Sequence, residues 1–275
     1  MKTYALLDYD GYICKAYYAG LKEDKQEKVL ADLEESAIVR TAEYFNVKRE
    51  DVEVIKVISG HTFKKDIYPS YKLTRKKDEN LGKFRDYIKD KYKDELIKIS
   101  NLEADDVLVL LHKHLNSEHM NSIVFSDDKD LHYYSFRYCK LNTDKEVTEN
   151  SLEALLNVYA QMLAGDSEDN IRGIPRMGMK TALKYIQNNM QSDLLRTVIK
   201  CYKDKGIDID NCLRDILLVM PVGCMYVKNE EHAMLTASLI LQGYNDSDLD
   251  KCVAKLIVDE LTTLNTIVKE VYLDN

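Results

Sequence analysis

Acidic residues recur in this chain in four short groups: Asp8 and Asp10 in LLDYDG, Glu103, Asp105 and Asp106 in LEADD, Asp128 and Asp130 in SDDKDL, and Asp166 and Asp169 in GDSED. Brought together they would repel one another. Two unit charges 4 Å apart cost about 1 kcal/mol in water and roughly 4 kcal/mol at an effective dielectric of 20. A cation must then stand among them. With oxygen donors, and neither His nor Cys in the motifs, Mg²⁺ or Mn²⁺ fits better than zinc. Acids that open helices also serve as caps, which accounts for Glu103, Asp105 or Asp169 one at a time. Capping strains to account for a DxD, an ExDD and a GDxxD that all border apolar segments.

The last group continues as GDSEDNIRGIPRMGMKTALKYI. Asp166 and Asp169, three apart, can share one face of a helical turn and address one ion. Gly173 and Gly178 bracket IPRM and allow close backbone approach to something bulky. Backbone N–H groups released at this turn and at the start of the next helix favour a phosphate. Arg176, Lys180, Thr181 and Lys184 belong to the same stretch, and the lysines add charge on the helix. This is the logic of a helix-hairpin-helix phosphate clamp with carboxylates immediately upstream.

Net charge is -8, yet the stretch from His61 to Lys98 holds twelve Lys/Arg against seven Asp/Glu. A basic segment is therefore set in an acidic body. On its own such a segment reads as a solvated surface helix.

These groups need a scaffold. Tyr4 to Leu7 and Val52 to Ile58 read as strands with a helix between them at Leu33 to Phe45, the opening of an α/β unit with a parallel sheet. From Leu81, the positions Phe84, Ile88, Tyr92 and Leu96 fall at helical steps. A helix is expected at Asp105 to Leu115, strands at Ile123 to Phe125 and Phe136 to Leu141, and a helix at Leu152 to Leu163. After Gly165 the periodicity is helical: Leu183 to Ile186, Leu194 to Ile199, Leu213 to Val219, Leu235 to Leu241 and Val253 to Val271. An α/β part, 1–164, thus leads into a helical part, 165–275, with no linker between them. In open α/β sheets ligands bind beyond the carboxyl ends of the strands, where these acids would converge.

At 275 residues and 45% hydrophobic composition the chain can bury a sizeable core. No segment approaches the roughly 20 apolar residues of a membrane span. The cysteines are scattered without a CxxC pair, which argues against a zinc site or a disulfide framework and fits a reducing cytoplasm.

In order along the chain, LLDYDGYICKAYYA, TFKKDIYPSYKLTR, LEADD, SDDKDL and GDSEDNIRGIPRMGMKTA resemble the motifs of the 5′ nucleases: flap endonucleases, the 5′-nuclease domain of bacterial DNA polymerase I and bacteriophage exonucleases. The resemblance implies an α/β fold, a PIN-like core with a central, mostly parallel sheet flanked by helices. A helical arch at about 68–98 and a C-terminal helical region with the clamp would complete it. It also implies metal-dependent phosphodiester hydrolysis, with two ions of Mg²⁺ or Mn²⁺ held by Asp8, Glu103, Asp105, Asp106 and Asp128 on one side and Asp130, Asp166 and Asp169 on the other. Lys72 and Arg75 would steady the scissile phosphate and Tyr71 would stack on a terminal base. Gly173 to Lys180, with Thr181 and Lys184, would grip duplex DNA, with K⁺ at the turn. The substrates implied are DNA with 5′ ends, flaps or nicks, and RNA–DNA hybrids. The resemblance further suggests a monomer in a bacterial or phage-infected cytoplasm, without membrane attachment.

Three features depart from the family pattern. VISGHTFKK carries Ser59 where an Asp usually follows the second strand, so either a ligand is lost or Asp10 compensates. Arg176 and Met179 replace Gly and a small residue or Pro in the clamp. Asp127 replaces a Gly and would add a further negative charge to the cleft. Two other readings compete. In a haloacid dehalogenase-type phosphatase, DYDG would supply Asp8 as nucleophile and Asp10 as acid/base. In a catalytically weakened relative, branched DNA would be bound and not cut.

Overall fold

The computed structural model describes residues 2–21, 25–128, 131, 137–141, 148–149, 152–219, 230–243 and 247–273. Asp130 lies outside these residues. Strands β1 (Thr3–Asp8), β2 (Val52–Ile58), β3 (Leu96–Lys98), β4 (Asn121–Phe125), β5 (Arg137–Cys139) and β6 (Thr148–Glu149) form a sheet in the order β3-β2-β1-β4-β5-β6. Its pairs are parallel except β5 with β6.

Successive side chains on a strand face opposite ways. On β1, Ala5 and Leu7 pack in one cluster with residues of α1 (Tyr9–Gly20), α2 (Gln26–Phe45) and α4 (Glu79–Lys91). Tyr4 and Leu6 face the other side and pack with α5 (Ala104–Ser117). Both faces are covered, as an all-apolar parallel strand requires. Val107 to Leu111 are all buried, so the middle of α5 is apolar around its whole circumference. It lies between the sheet and the C-terminal helices, as such a helix must.

Those helices are α6 (Leu152–Ala164), α7 (Met179–Asn188), α8 (Leu194–Asp204), α9 (Ile209–Val219), α10 (Glu230–Leu241) and α11 (Ser247–Leu273). The cluster that contains Tyr4 and Leu6 extends without a break to Val268 on α11. Among the described residues, no helix is long and apolar enough to cross a membrane.

The segment from α3 through the arch expected at about 68–98 divides into three parts. Short helix α3 (Phe63–Ile67) leads into a turn-rich stretch carrying Tyr71, Lys72 and Arg75. Helix α4 follows and lies against α1 through fully buried Ile88 and the Tyr17 and Phe84 rings, 5.8 Å apart. It ends at Lys91, and Leu96, expected on this helix, opens β3 opposite Lys56. Leu96 keeps the helical spacing because strand and helix face the same cluster, so periodicity could not separate them. Helix α2 begins seven residues before the expected Leu33, in a polar turn that hides its period.

Candidate active site

Asp8 ends β1, Ser59 follows β2 and Ser126 follows β4, so the parallel strands deliver all three to one edge of the sheet. Asp8 caps α1, accepting from the Gly11 N–H, and also accepts from Ser126 Oγ at 2.7 Å. Ser126 Oγ in turn accepts from the Asp128 N–H at 2.9 Å. Burial pushes the Asp8 carboxyl up to about 7; the Ser126 hydroxyl opposes this, and the charges of Asp128 and Asp10 add to it. Asp10 accepts from the Ser59 N–H at 2.7 Å and faces Arg85 and Lys89 of α4 at 3.5 and 3.7 Å. Its carboxylate is thus bonded to the backbone of Ser59, the residue that stands where the family has an acid.

A second group gathers at the start of α5. Glu103 and Asp106 form a reciprocal capping box, and ligand oxygens of Glu103, Asp105 and Asp106 lie within 4.8 Å of one another. Buried Lys64 reaches Glu103 at 3.0 Å and Asp106 at 3.9 Å. Lys72 reaches Glu103 at 2.7 Å. Burial would raise the Glu103 carboxyl, but the Lys64 and Lys72 ammonium groups hold it down at about 2. Burial pushes Asp105 well up; Lys64 opposes, while Asp106 and Glu103 reinforce it. Lys64 is pulled down by burial, yet the surrounding acids hold it above the ordinary lysine range.

Asp169 joins this second group. It receives Arg75 through Nε at 3.0 Å and through the terminal nitrogen, and it lies 3.8 Å from Lys72. The Lys72 N–H donates to the Asp169 carbonyl and Asn170 Nδ2 to the Ser70 carbonyl, which fastens the two loops together. Lys72 and Asn170 both adopt left-handed backbone at these links. Asp166 accepts from Gln161 Nε2 and from the Glu168 N–H, while its backbone pairs with Ile171.

Three expectations change. Tyr71, expected against a terminal base, is 3% exposed, and its hydroxyl donates to Glu103 at 3.0 Å and Asp169 at 3.4 Å. It is a strut between two carboxylates, because its ring belongs to the core. Gly173, expected to admit a ligand, is needed inside the protein: φ is +61°, and a Cβ would lie 2.4 Å from the backbone of Ala164. Asp127 accepts from the Leu141 N–H and stands 4.0 Å from Lys15, so its charge is engaged beside the end of β5.

Arg176, Gly178, Lys180, Thr181 and Lys184 are exposed at the turn and on α7. Arg176 holds φ at +65° without being glycine, and Gly178 has open space around a would-be Cβ. Asp215 of α9 accepts from the Gly173 N–H at 3.1 Å and is itself held by Arg214. Asp215, Lys64, Ser126, Arg85 and Lys89 were not singled out from sequence. Lys64 and Ser126 stand within quoted motifs; Asp215, on an amphipathic helix, carries no local signal.

All the donors in both groups are hard oxygens on a converging sheet edge, with lysines close by. This set suits a divalent cation of the Mg²⁺ class, and it does so without a His or Cys ligand. A cavity of about 1100 Å³ is lined by residues such as Tyr68, Arg214, Leu264 and Tyr272 and by none of these carboxylates.

A family model described as 5′-3′ exonuclease, N-terminal resolvase-like domain, matches residues 3–162. DNA polymerase I of Mycobacterium tuberculosis is 30% identical over 207 residues, covering 67% of this chain and 23% of that protein. The 5′-3′ exonuclease of Mycoplasmopsis pulmonis is 26% identical over 208 residues, 70% of this chain and 68% of that one. The chain spans less than a quarter of the polymerase relatives' length. Among solved structures, the bacteriophage T5 5′-exonuclease with bound zinc is similar with a TM-score of 0.58 at 16% identity, over 98% of this chain and 100% of that one. That likeness is one of fold.

Proposed function

The chain belongs to the 5′-3′ exonuclease family through the domain spanning residues 3–162, and from that premise we propose that it is a divalent-metal-dependent nuclease that hydrolyses DNA from 5′ ends and at 5′ flaps. Two carboxylate groups that follow the strands support the reading: Asp8 with Asp128 and Asp10 in one, and Glu103, Asp105 and Asp106 in the other, where Lys72 and Arg75 tie in Asp169. Asp8 and Asp128 would hold one ion, and Glu103, Asp105 and Asp169 another; Asp166 braces the loop that carries Asp169. When bound there, Mg²⁺ or Mn²⁺ would supply an activated water and stabilise the leaving oxygen.

The residues of the chain perform the rest. Arg75, about half exposed above Asp169, offers its outer face to an incoming phosphate. Lys72 stands one layer below and balances Glu103. Lys64 and Tyr71, both buried, keep Glu103 in place while charge develops above it. The turn at Arg176 to Lys180 and the start of α7, which has no acid in its first turn, would hold a duplex phosphate, with K⁺ as a companion ion. Within the same reading the protein acts as a monomer and also accepts RNA–DNA hybrids. A phosphatase built on Asp8 and Asp10 would leave the Glu103 to Asp106 group without a role.

The test is incubation of 5′-labelled flap and nicked duplexes with Mg²⁺ or Mn²⁺, beside binding in Ca²⁺ or EDTA. Cutting under an activating metal is expected. Binding without cutting under either metal would mark the chain as a binding relative, and neither binding nor cutting would overturn the nuclease reading.

A further inference from the structure

The loop that carries Asp166 and Asp169 is pinched at its neck. Gly165 and Gly173 both hold positive φ, and a Cβ on Gly173 would lie 2.4 Å from the Gly165 nitrogen. Just beyond, the Ile174 N–H donates to the Leu163 carbonyl at 2.7 Å. Where this neck stands therefore decides where the two acids stand. The buried Gly173 N–H donates to Asp215 Oδ2 at 3.1 Å, so α9 holds the neck from outside the loop. Asp215 is 1% exposed, and Arg214 donates to its other oxygen through Nε at 2.9 Å and through a terminal nitrogen at 2.6 Å. An apolar side chain at 215 would fill the space but leave the Gly173 N–H buried and unmet.

The same arginine reaches a second loop. Its guanidinium lies 4.8 Å from the centre of the Tyr68 ring. Tyr68 begins the turn that presents Tyr71, Lys72 and Arg75: its N–H donates to the Lys64 carbonyl at 2.9 Å, and its carbonyl accepts from the Tyr71 N–H at 2.8 Å. Neighbouring residues on a helix point in different directions, so Arg214 and Asp215 address two loops from one turn of α9. The loops meet again at their tips, where the Lys72 N–H donates to the Asp169 carbonyl and Asn170 Nδ2 to the Ser70 carbonyl. These links close a triangle with α9 at its base and Lys72 and Asp169 at its apex.

We propose that Arg214 and Asp215 are positioning residues for the carboxylate group of Glu103 and Asp169, setting the acidic loop and the Tyr71 to Arg75 turn in register with each other. The inference rests on the nuclease reading above. Its experiment follows the full chain and its Asp215→Asn, Tyr68→Leu and Tyr68→Phe variants in two ways. Amide hydrogen exchange without metal is read by mass spectrometry over residues 68–75 and 165–174. Single-turnover cutting of a 5′-flap duplex is measured across Mg²⁺ concentrations.

Asp215→Asn keeps the shape and loses the charge. It is expected to exchange roughly tenfold faster in both segments, while α2 and α8 stay as protected as in the parent. Its half-saturating Mg²⁺ should rise about tenfold, with most of the rate regained at saturation. Tyr68→Leu should loosen 68–75 and raise the Mg²⁺ requirement, and Tyr68→Phe, which keeps the ring against the guanidinium, should restore both. Unchanged exchange and Mg²⁺ requirement in Asp215→Asn and Tyr68→Leu would overturn the inference. So would faster exchange spread evenly over α2 and α8, which would mark the pair as a source of stability alone. A parent chain that cuts at no Mg²⁺ concentration would instead count against the nuclease reading, and the exchange comparison would still decide whether the pair holds the loops.

Discussion

Lys64 Nζ lies 3.0 Å from Glu103 Oε2, and the two side chains are only 2% and 8% exposed. A fully buried lysine is costly to desolvate unless paired, and here Asp106 and Asp105 add to the compensation. The ammonium group is therefore a fixed part of the carboxylate cluster, supplied by α3.

Removing that charge should be expensive. Lys64→Met leaves Glu103 and Asp106 buried with less compensation, and a loss of roughly 3–5 kcal/mol in urea unfolding is expected. The double change Lys64→Met with Glu103→Gln should recover part of it. A single-variant loss below about 1 kcal/mol would show that the pair is not structural.

Asp8→Asn and Asp105→Asn remove one carboxylate from each group. Single-turnover cutting of a flap substrate in Mg²⁺ is expected to fall by about 10²-fold or more, while DNA binding in Ca²⁺ persists. Retained turnover in both variants would separate catalysis from these carboxylates.

The two glycines of the turn should respond differently. Gly173→Ala forces a Cβ against the Ala164 backbone at positive φ and should cost at least about 1–3 kcal/mol in thermal unfolding. Gly178→Ala, in open space at φ -77°, should change stability by under about 1 kcal/mol. Similar losses at both positions would contradict the packing described for Gly173.

Lys180→Ala and Lys184→Ala should leave unfolding nearly unchanged, since both side chains are exposed. Each should reduce the slope of log affinity for nicked duplex against log salt by about 0.9, measured by titration across salt. Unaltered slopes would remove the start of α7 from the duplex-binding surface.

Much of the site was legible in the chain because its chemistry is written in residue types over short spacings. The DxD, ExDD and GDxxD groups, the YPSYK segment and the Gly-punctuated turn each name themselves within a few positions. The parallel sheet followed from apolar runs bordered by turn residues, and burial of both faces of β1 explains why those runs do not alternate.

The partnerships were not legible. Tyr71 reads as a ring available for stacking until the fold places it in the core, 32 positions from Glu103 and 98 from Asp169. Leu96 keeps helical spacing while pairing with Lys56 as a strand. Asp10 meets Ser59 across 49 residues, and Asp215 holds Gly173 across 42.

Local spacing specifies backbone periodicity and the donors a chain can offer, because both depend on neighbours along the chain. Which donor meets which cation, and which ring faces solvent, depends on how helices and strands distant in sequence exclude water between them. In this chain that packing turned Tyr71 inward, brought Lys64 to the carboxylates and left Arg75 facing outward.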